Sequence, residues 1–248
     1  MKKIIALSLV VLLSFAGIMD VSAYGDNIVD EEPIPLDENA NLDGPFFDVW
    51  PNDWYYDAAG FMRETGFMGV LSGEDFNFFL PGEKLQRQDV AVIFGRIYKE
   101  LVNNEVDLSM KHKPYDYYVN YVKWVNKYHI MNGYADGNFG VGDDITREDF
   151  ATSLYNFVMA VAPFSFIPEK DPGVLGSFAD KGDVRDYSYD AMYWMVGNGI
   201  IQGYENDGVK TIQPQGTVTR GMAAVMLQRF FESYEDEFKE YGNKDMLL

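Results

Sequence analysis

The sequence has no cysteine and only two histidines, His112 and His129, among 248 residues. The first absence excludes a disulfide framework, a thiolate zinc centre and a cysteine nucleophile, and the second puts a multi-histidine metal cage out of reach. Positive charge is also scarce: 20 Lys+Arg stand against 39 Asp+Glu, a formal net charge of −19. With a pI near 4.3, the long-range field repels phosphate backbones and argues against a nucleic-acid partner. Apolar residues, at 47%, are as frequent as in folded chains, which assigns the acidity to a folded surface and not to a disordered polyelectrolyte.

Long hydrophobic runs are confined to the start. Lys2 and Lys3 precede an apolar stretch from Ile4 to Leu13, continued by Phe15, Ala16 and Ile18, with a small-residue site at Val21-Ser22-Ala23. The pattern predicts a secretory signal peptide over 1–23, too short and too interrupted by Ser8, Ser14, Gly17 and Asp20 for a retained span. No later segment has the composition to insert in a bilayer. Residues 24–45 read as an acidic linker around Pro33-Ile34-Pro35, and 236–248 as a charged tail. The expectation is a secreted protein of the bacterial cell surface.

Between linker and tail, one unit recurs three times. Its marks are Leu85-Gln86-Arg87-Gln88-Asp89, Ile145-Thr146-Arg147-Glu148-Asp149 and Val218-Thr219-Arg220-Gly221-Met222. Apolar residues follow each arginine at helical offsets: Val90, Phe94, Ile97; Phe150, Leu154, Phe157; Ala223, Leu227, Phe230. An upstream helix recurs as Trp54, Ala58, Phe61, Met62; Tyr117, Tyr121, Trp124, Val125; and Tyr187, Ala191, Trp194, Met195. Glycine-aromatic turns such as Gly133-Tyr134 and Gly203-Tyr204 lie between the helices. This predicts a mainly α fold of helix-loop-helix copies over 46–104, 112–162 and 175–235. A single copy buries too little area to be stable alone, whereas three close a common core.

The order of Phe47-Asp48-Val49 or Phe178-Ala179-Asp180, a Gly-aromatic loop, and a Thr-Arg-x-acid element resembles the S-layer homology family, over residues 46–235. Copy 2 matches the hallmark most fully, copy 1 has Gln86 for Thr, and copy 3 has Gly221-Met222 where the acid belongs. The resemblance implies three repeats in one pseudo-threefold domain. It further implies non-covalent attachment to the cell surface through a secondary cell-wall polysaccharide, anionic and often pyruvylated, held in grooves between repeats. No cofactor and no metal are implied.

The arginines carry the physical argument. Thr146 and Thr219 are N-caps, which puts Arg147 and Arg220 in the first turn of a helix, where the dipole disfavours a cation by ~0.3–1 kcal/mol. Three repeats of that penalty invite two explanations: Arg87, Arg147 and Arg220 grip an anion, or each pairs with an acidic side chain of the neighbouring copy. Trp54 is a candidate sugar platform, whereas Trp124 and Trp194 read as core. Asp48 and Asp180 either accept sugar hydroxyls or cap the following turn, and Gly137 either supplies a positive φ or lets ligand approach closely. The acidic clusters Asp143-Asp144 and Asp180-Lys181-Gly182-Asp183 lack the ligand spacing of a calcium loop, and the two histidines read as bystanders. The repeats consume the chain and leave no room for a catalytic domain. The rival to wall binding is a structural subunit of a surface layer or complex whose repeats bind other surface proteins.

Overall fold

The computed structural model describes residues 43–69, 77–102, 117–161 and 173–242, with backbone only for 101–102 and 235–242. The leader, residues 24–42 of the linker, His112 and residues 243–248 lie outside them. As the sequence periodicity predicts, the described fold is mainly α. Its helices are α1 (Tyr56–Thr65), α2 (Arg87–Val102), α3 (Val119–Lys127), α4 (Arg147–Val161), α5 (Tyr189–Gly197) and α6 (Arg220–Gly242). A two-stranded antiparallel hairpin, β1 (Tyr204–Asn206) and β2 (Val209–Thr211), pairs Tyr204 with Thr211. Asp207 and Gly208 both have positive φ, as a two-residue turn matching the strand twist requires.

Each copy contributes a short helix and a longer one. The short helices stop alike, at a residue in the left-handed region: Gly66 after α1, His129 after α3 and Gly199 after α5. The reversal lets the chain drop apolar residues into the core just beyond, Phe67 and Met68, Ile130 and Met131, Ile200 and Ile201, none more than 3% exposed.

The dominant helix packing runs between copies: α3 lies on α2, α5 on α4, and α1 on α6, so that copy 3 closes back onto copy 1. The long helices α2, α4 and α6 converge at the centre, with α2 touching both others. Phe94 stacks on Phe157 at 5.0 Å and lies 6.4 Å from Phe150, all fully buried. Each such side chain contributes roughly 1.5–3 kcal/mol on leaving water. Where α1 meets α6, Phe231 stacks on Phe67 at 5.2 Å and contacts Phe61 at 5.5 Å.

The centre is a backbone pinwheel. Leu85 N–H donates to Val218 C=O, Val218 N–H to Ile145 C=O and Ile145 N–H to Leu85 C=O, each 2.9 Å. These three apolar residues open the three motifs, and all are fully buried. A second ring lies beside it: Arg87 N–H donates to Asp143 C=O, Arg147 N–H to Gly216 C=O and Arg220 N–H to Glu83 C=O, at 2.9–3.0 Å. Helix N-termini carry unpaired amides that must find acceptors, and here the preceding loop of the next copy supplies them.

Candidate functional site

The three motif arginines are buried, at 6% exposure for Arg87, 5% for Arg147 and 3% for Arg220. Each reaches out of its first turn into the loop of the next copy. Arg87 Nε donates to Phe139 C=O (2.9 Å), Arg147 Nε to Ile212 C=O (2.8 Å) and Arg220 Nε to Phe79 C=O (2.8 Å). Their guanidinium carbons lie over aromatic rings: Arg87 over Tyr134 at 4.9 Å, Arg147 over Tyr204 at 5.1 Å, Arg220 over Phe79 at 5.2 Å. The arginines lock copy to copy chiefly through backbone carbonyls, and among the described residues Arg87 also lies 4.0 Å from an acidic side chain of the neighbouring copy, Asp149.

One arginine differs in its second bond. Arg87 Nη2 donates to Asn132 C=O (2.8 Å) and Arg220 Nη2 to Gly69 C=O (2.7 Å). Arg147 instead uses Nη1 toward the Tyr204 hydroxyl (3.3 Å), and among the described residues no acceptor faces its Nη2. Burial lowers the proton affinity of Arg147 and Arg220 alike, and Arg229 adds to the effect at Arg147.

Asp48 and Asp180 serve these arginines indirectly. Asp48 accepts from the Phe79 and Leu80 amides, each 2.7 Å, and Asp180 from Ile212 (2.9 Å) and Gln213 (2.7 Å). Each carboxylate thus clamps the peptide whose carbonyl receives an arginine. The next residue, Leu80 or Gln213, is left-handed, and Gly140 takes that place in copy 2. Gly137, with φ 86°, closes a turn onto the C=O of Tyr134 (2.9 Å), the residue whose ring lies under Arg87.

One pocket of about 330 Å³ opens at Arg147. Copy 3 forms most of its wall, with Tyr204 from the hairpin and the α6 face Met222, Val225, Met226 and Arg229 at i, i+3, i+4 and i+7. Copy 1 contributes Trp54, 64% exposed at the rim. The lining holds two guanidiniums, two rings and no carboxylate. Arg229 Nη1 donates to Ile200 C=O at 3.3 Å, and burial lowers its proton affinity too.

The equivalent positions elsewhere are filled differently. Asp89 and Asp149 stand where copy 3 has Met222, and Tyr117 and Tyr187 where copy 1 has Trp54. Tyr117 donates its hydroxyl to Asp89 (2.5 Å) and Tyr187 to Asp149 (2.7 Å). Thr146 caps the Asp149 amide at 3.2 Å, yet the Asp149 side chain turns to Tyr187 instead of closing a capping box.

Between copies 2 and 3 lies a buried carboxylate. Glu148 accepts from Arg185 N–H (3.1 Å), Arg185 Nη1 (3.0 Å), Ser188 Oγ (2.9 Å) and Gln215 Nε2 (2.7 Å), and lies 3.0 Å from the Tyr187 hydroxyl, whose single proton it shares with Asp149. Burial opposes its ionisation, but the bonds from Arg185, Gln215, Ser188 and Tyr187 outweigh it and hold the carboxyl below the usual carboxylate range.

Of the residues singled out in sequence, Arg147 and Trp54 meet at the pocket, while Arg87, Arg220, Asp48, Asp180 and Gly137 lie elsewhere in the ring. Met222 and Tyr204 are read in sequence only as motif and turn residues, and Arg229 is not singled out there. The signal was present: the positions after the motif arginine repeat as Asp89-Val92-Ile93-Arg96, Asp149-Thr152-Ser153-Asn156 and Met222-Val225-Met226-Arg229, one helical face each.

Fold and site together define a class, a cyclic three-copy helical module tied by buried arginines. Residues 110–151 and 177–224, in the second and third copies, match the family profile described as S-layer homology domain. The first copy has the same arginine, ring and carbonyl geometry. A cellulosome-anchoring protein of Acetivibrio thermocellus is 25% identical over 174 residues, covering 65% of this chain and 35% of its own length. A surface-layer 125 kDa protein of Lysinibacillus sphaericus is 26% identical over 168 residues, covering 67% of this chain and 13% of its own. The chain therefore spans well under half the length of either relative.

Proposed function

We propose that this protein is a non-catalytic module that attaches to the bacterial cell surface by binding an anionic secondary cell-wall polysaccharide, pyruvylated in the form the family favours, in a groove between repeats. The observation that carries this reading is the pocket at Arg147, where two guanidiniums face a rim tryptophan with no carboxylate in the wall. In a chain of net charge −19, such a locally positive hollow suits an anion that the surface as a whole repels. Arg147 and Arg229 would hold an acidic substituent, Trp54 would stack on a sugar face, and Met222, Val225 and Met226 would take its C–H surface. Arg87 and Arg220 support the scaffold, and Asp48, Asp180 and Gly137 shape the loops. The names of the two relatives, an anchoring protein and a surface-layer protein, fit the same reading.

Co-sedimentation of residues 24–248 with purified Gram-positive sacculi, before and after acid removal of the attached polymers, tests it. Binding is expected to vanish on stripping and to weaken at least ~10-fold, about 1.4 kcal/mol, in Arg229→Ala and Trp54→Ala. Those side chains face the pocket and carry little of the bonding between copies, so their folding should be retained. A folded protein that ignores unstripped sacculi would overturn the proposal.

A further inference from the structure

The pseudo-threefold symmetry brings one arginine to each of three grooves, but the groove walls are not alike. At Arg220 and at Arg87 the molecule already supplies an anion. Asp149 lies 4.0 Å from Arg87, and the charge of Asp89 raises the proton affinity of Arg220. In both grooves the carboxylate is held by a tyrosine of the following copy, Tyr117 on Asp89 and Tyr187 on Asp149. Only at Arg147 are both members of the pair replaced, Asp by Met222 and Tyr by Trp54, and both line the open pocket.

The two replacements act together. A tyrosine hydroxyl facing a methionine would lose the carboxylate acceptor it has in the other grooves, and an aspartate at position 222 would return a carboxylate to the wall beside Arg147. Together, Met222 and Trp54 remove the carboxylate that the other grooves hold at this position, leaving Asp180 as the acidic neighbour of Arg147 and an apolar, aromatic wall beside two arginines. Resting on the function proposed above, we infer that, of the three grooves between copies, the Arg147 groove is the one that takes the ligand, and that the pair Met222 and Trp54 is what makes it so. The Asp89–Tyr117 and Asp149–Tyr187 pairs act as built-in occupants that shut the other two grooves to anionic sugars.

The pair should therefore be transferable. Met222→Asp with Trp54→Tyr installs the latch at Arg147; an aspartate in the first turn of α6 also suits the helix dipole, so this variant should fold at least as well as the parent. Asp89→Met with Tyr117→Trp removes the latch at Arg220, where Arg96 occupies the place that Arg229 has in copy 3. The probe is a carboxylate-bearing oligosaccharide released by mild acid from the sacculi, titrated calorimetrically into each folded protein. The expected stoichiometry is one for the parent, none for the latched variant and two for the unlatched one. A parent that binds two or three oligosaccharides, or a latched variant that binds with unchanged affinity, overturns the inference and leaves wall binding standing. A parent that binds sacculi but gains no second site on unlatching overturns the latch role of Asp89–Tyr117. A parent that binds neither oligosaccharide nor sacculi removes the proposed function and this inference together.

Discussion

A guanidinium in the first turn of a helix is out of place electrostatically, and here each one is stabilised by leaving the helix. Nε of Arg220 bonds Phe79 C=O and its Nη2 bonds Gly69 C=O, across the junction between copy 3 and copy 1. Hydrogen bonds from a charged donor contribute ~1.5–3 kcal/mol each, so Arg220→Ala should lower unfolding stability by about 3 kcal/mol or more in a denaturant titration. Glu148 contributes to the acid sensitivity of the fold. Its folded pKa lies below that of the unfolded chain, so its stabilisation is complete above about pH 4.3, the unfolded glutamate value, and drains away as pH falls through the folded value. Melting curves from pH 7 to 3 should show Tm falling on acidification, and Glu148→Gln should start lower and flatten that fall. The helix-terminal position of the arginines could be read from Thr146 and Thr219; their partners could not, because a backbone carbonyl leaves no residue-type signature in the sequence that receives it.

Among the elements, the loops decide more than the helices. The 3.6-residue periodicity exposed all the helices described, and the repeat of the motif exposed their threefold recurrence. Of the loop glycines, Gly137 has the positive φ read for it, 86°, with open space around a would-be Cβ, whereas at Gly203 a Cβ would come within 2.5 Å of Thr211 C=O and 2.6 Å of the Phe178 ring. Gly203→Ala should therefore cost well above the ~1–2 kcal/mol of a left-handed alanine that Gly137→Ala should show. Chemical denaturation of the two variants checks the order. Spacing cannot separate these glycines, since one answers to its own backbone and the other to Thr211 across the hairpin and to the Phe178 ring. The pocket-facing side of α6 was visible as a period from Met222 to Arg229, but it gains meaning only once Trp54 arrives from the far end of the sequence.

For the whole molecule, the acidic surface and the positive pocket act at different ranges. Salt screens the repulsion between a net charge of −19 and an anionic polymer more than it screens contacts inside the groove. Raising ionic strength from 0.05 to 0.5 M should accordingly change sacculus binding by less than about threefold, in contrast with a polybasic surface, whose affinity would collapse. Removing copy 3, from residue 175 onward, should abolish cooperative unfolding, because α1 and α4 each lose the helix they pack on.

The ring of three copies has three seams, and the peptide chain runs through only two of them. Copy 3 meets copy 1 with no covalent link, held by the Phe61, Phe67 and Phe231 cluster, the Arg220 bonds and its share of the pinwheel. One seam is thus already a joint between separate stretches of polypeptide, built from the same parts as the other two. A protease that nicks the connection between copies 1 and 2, within residues 103–116, would only make a second seam resemble the third. The two fragments should stay together on a sizing column and part only in denaturant, so that a cut chain still holds as one piece.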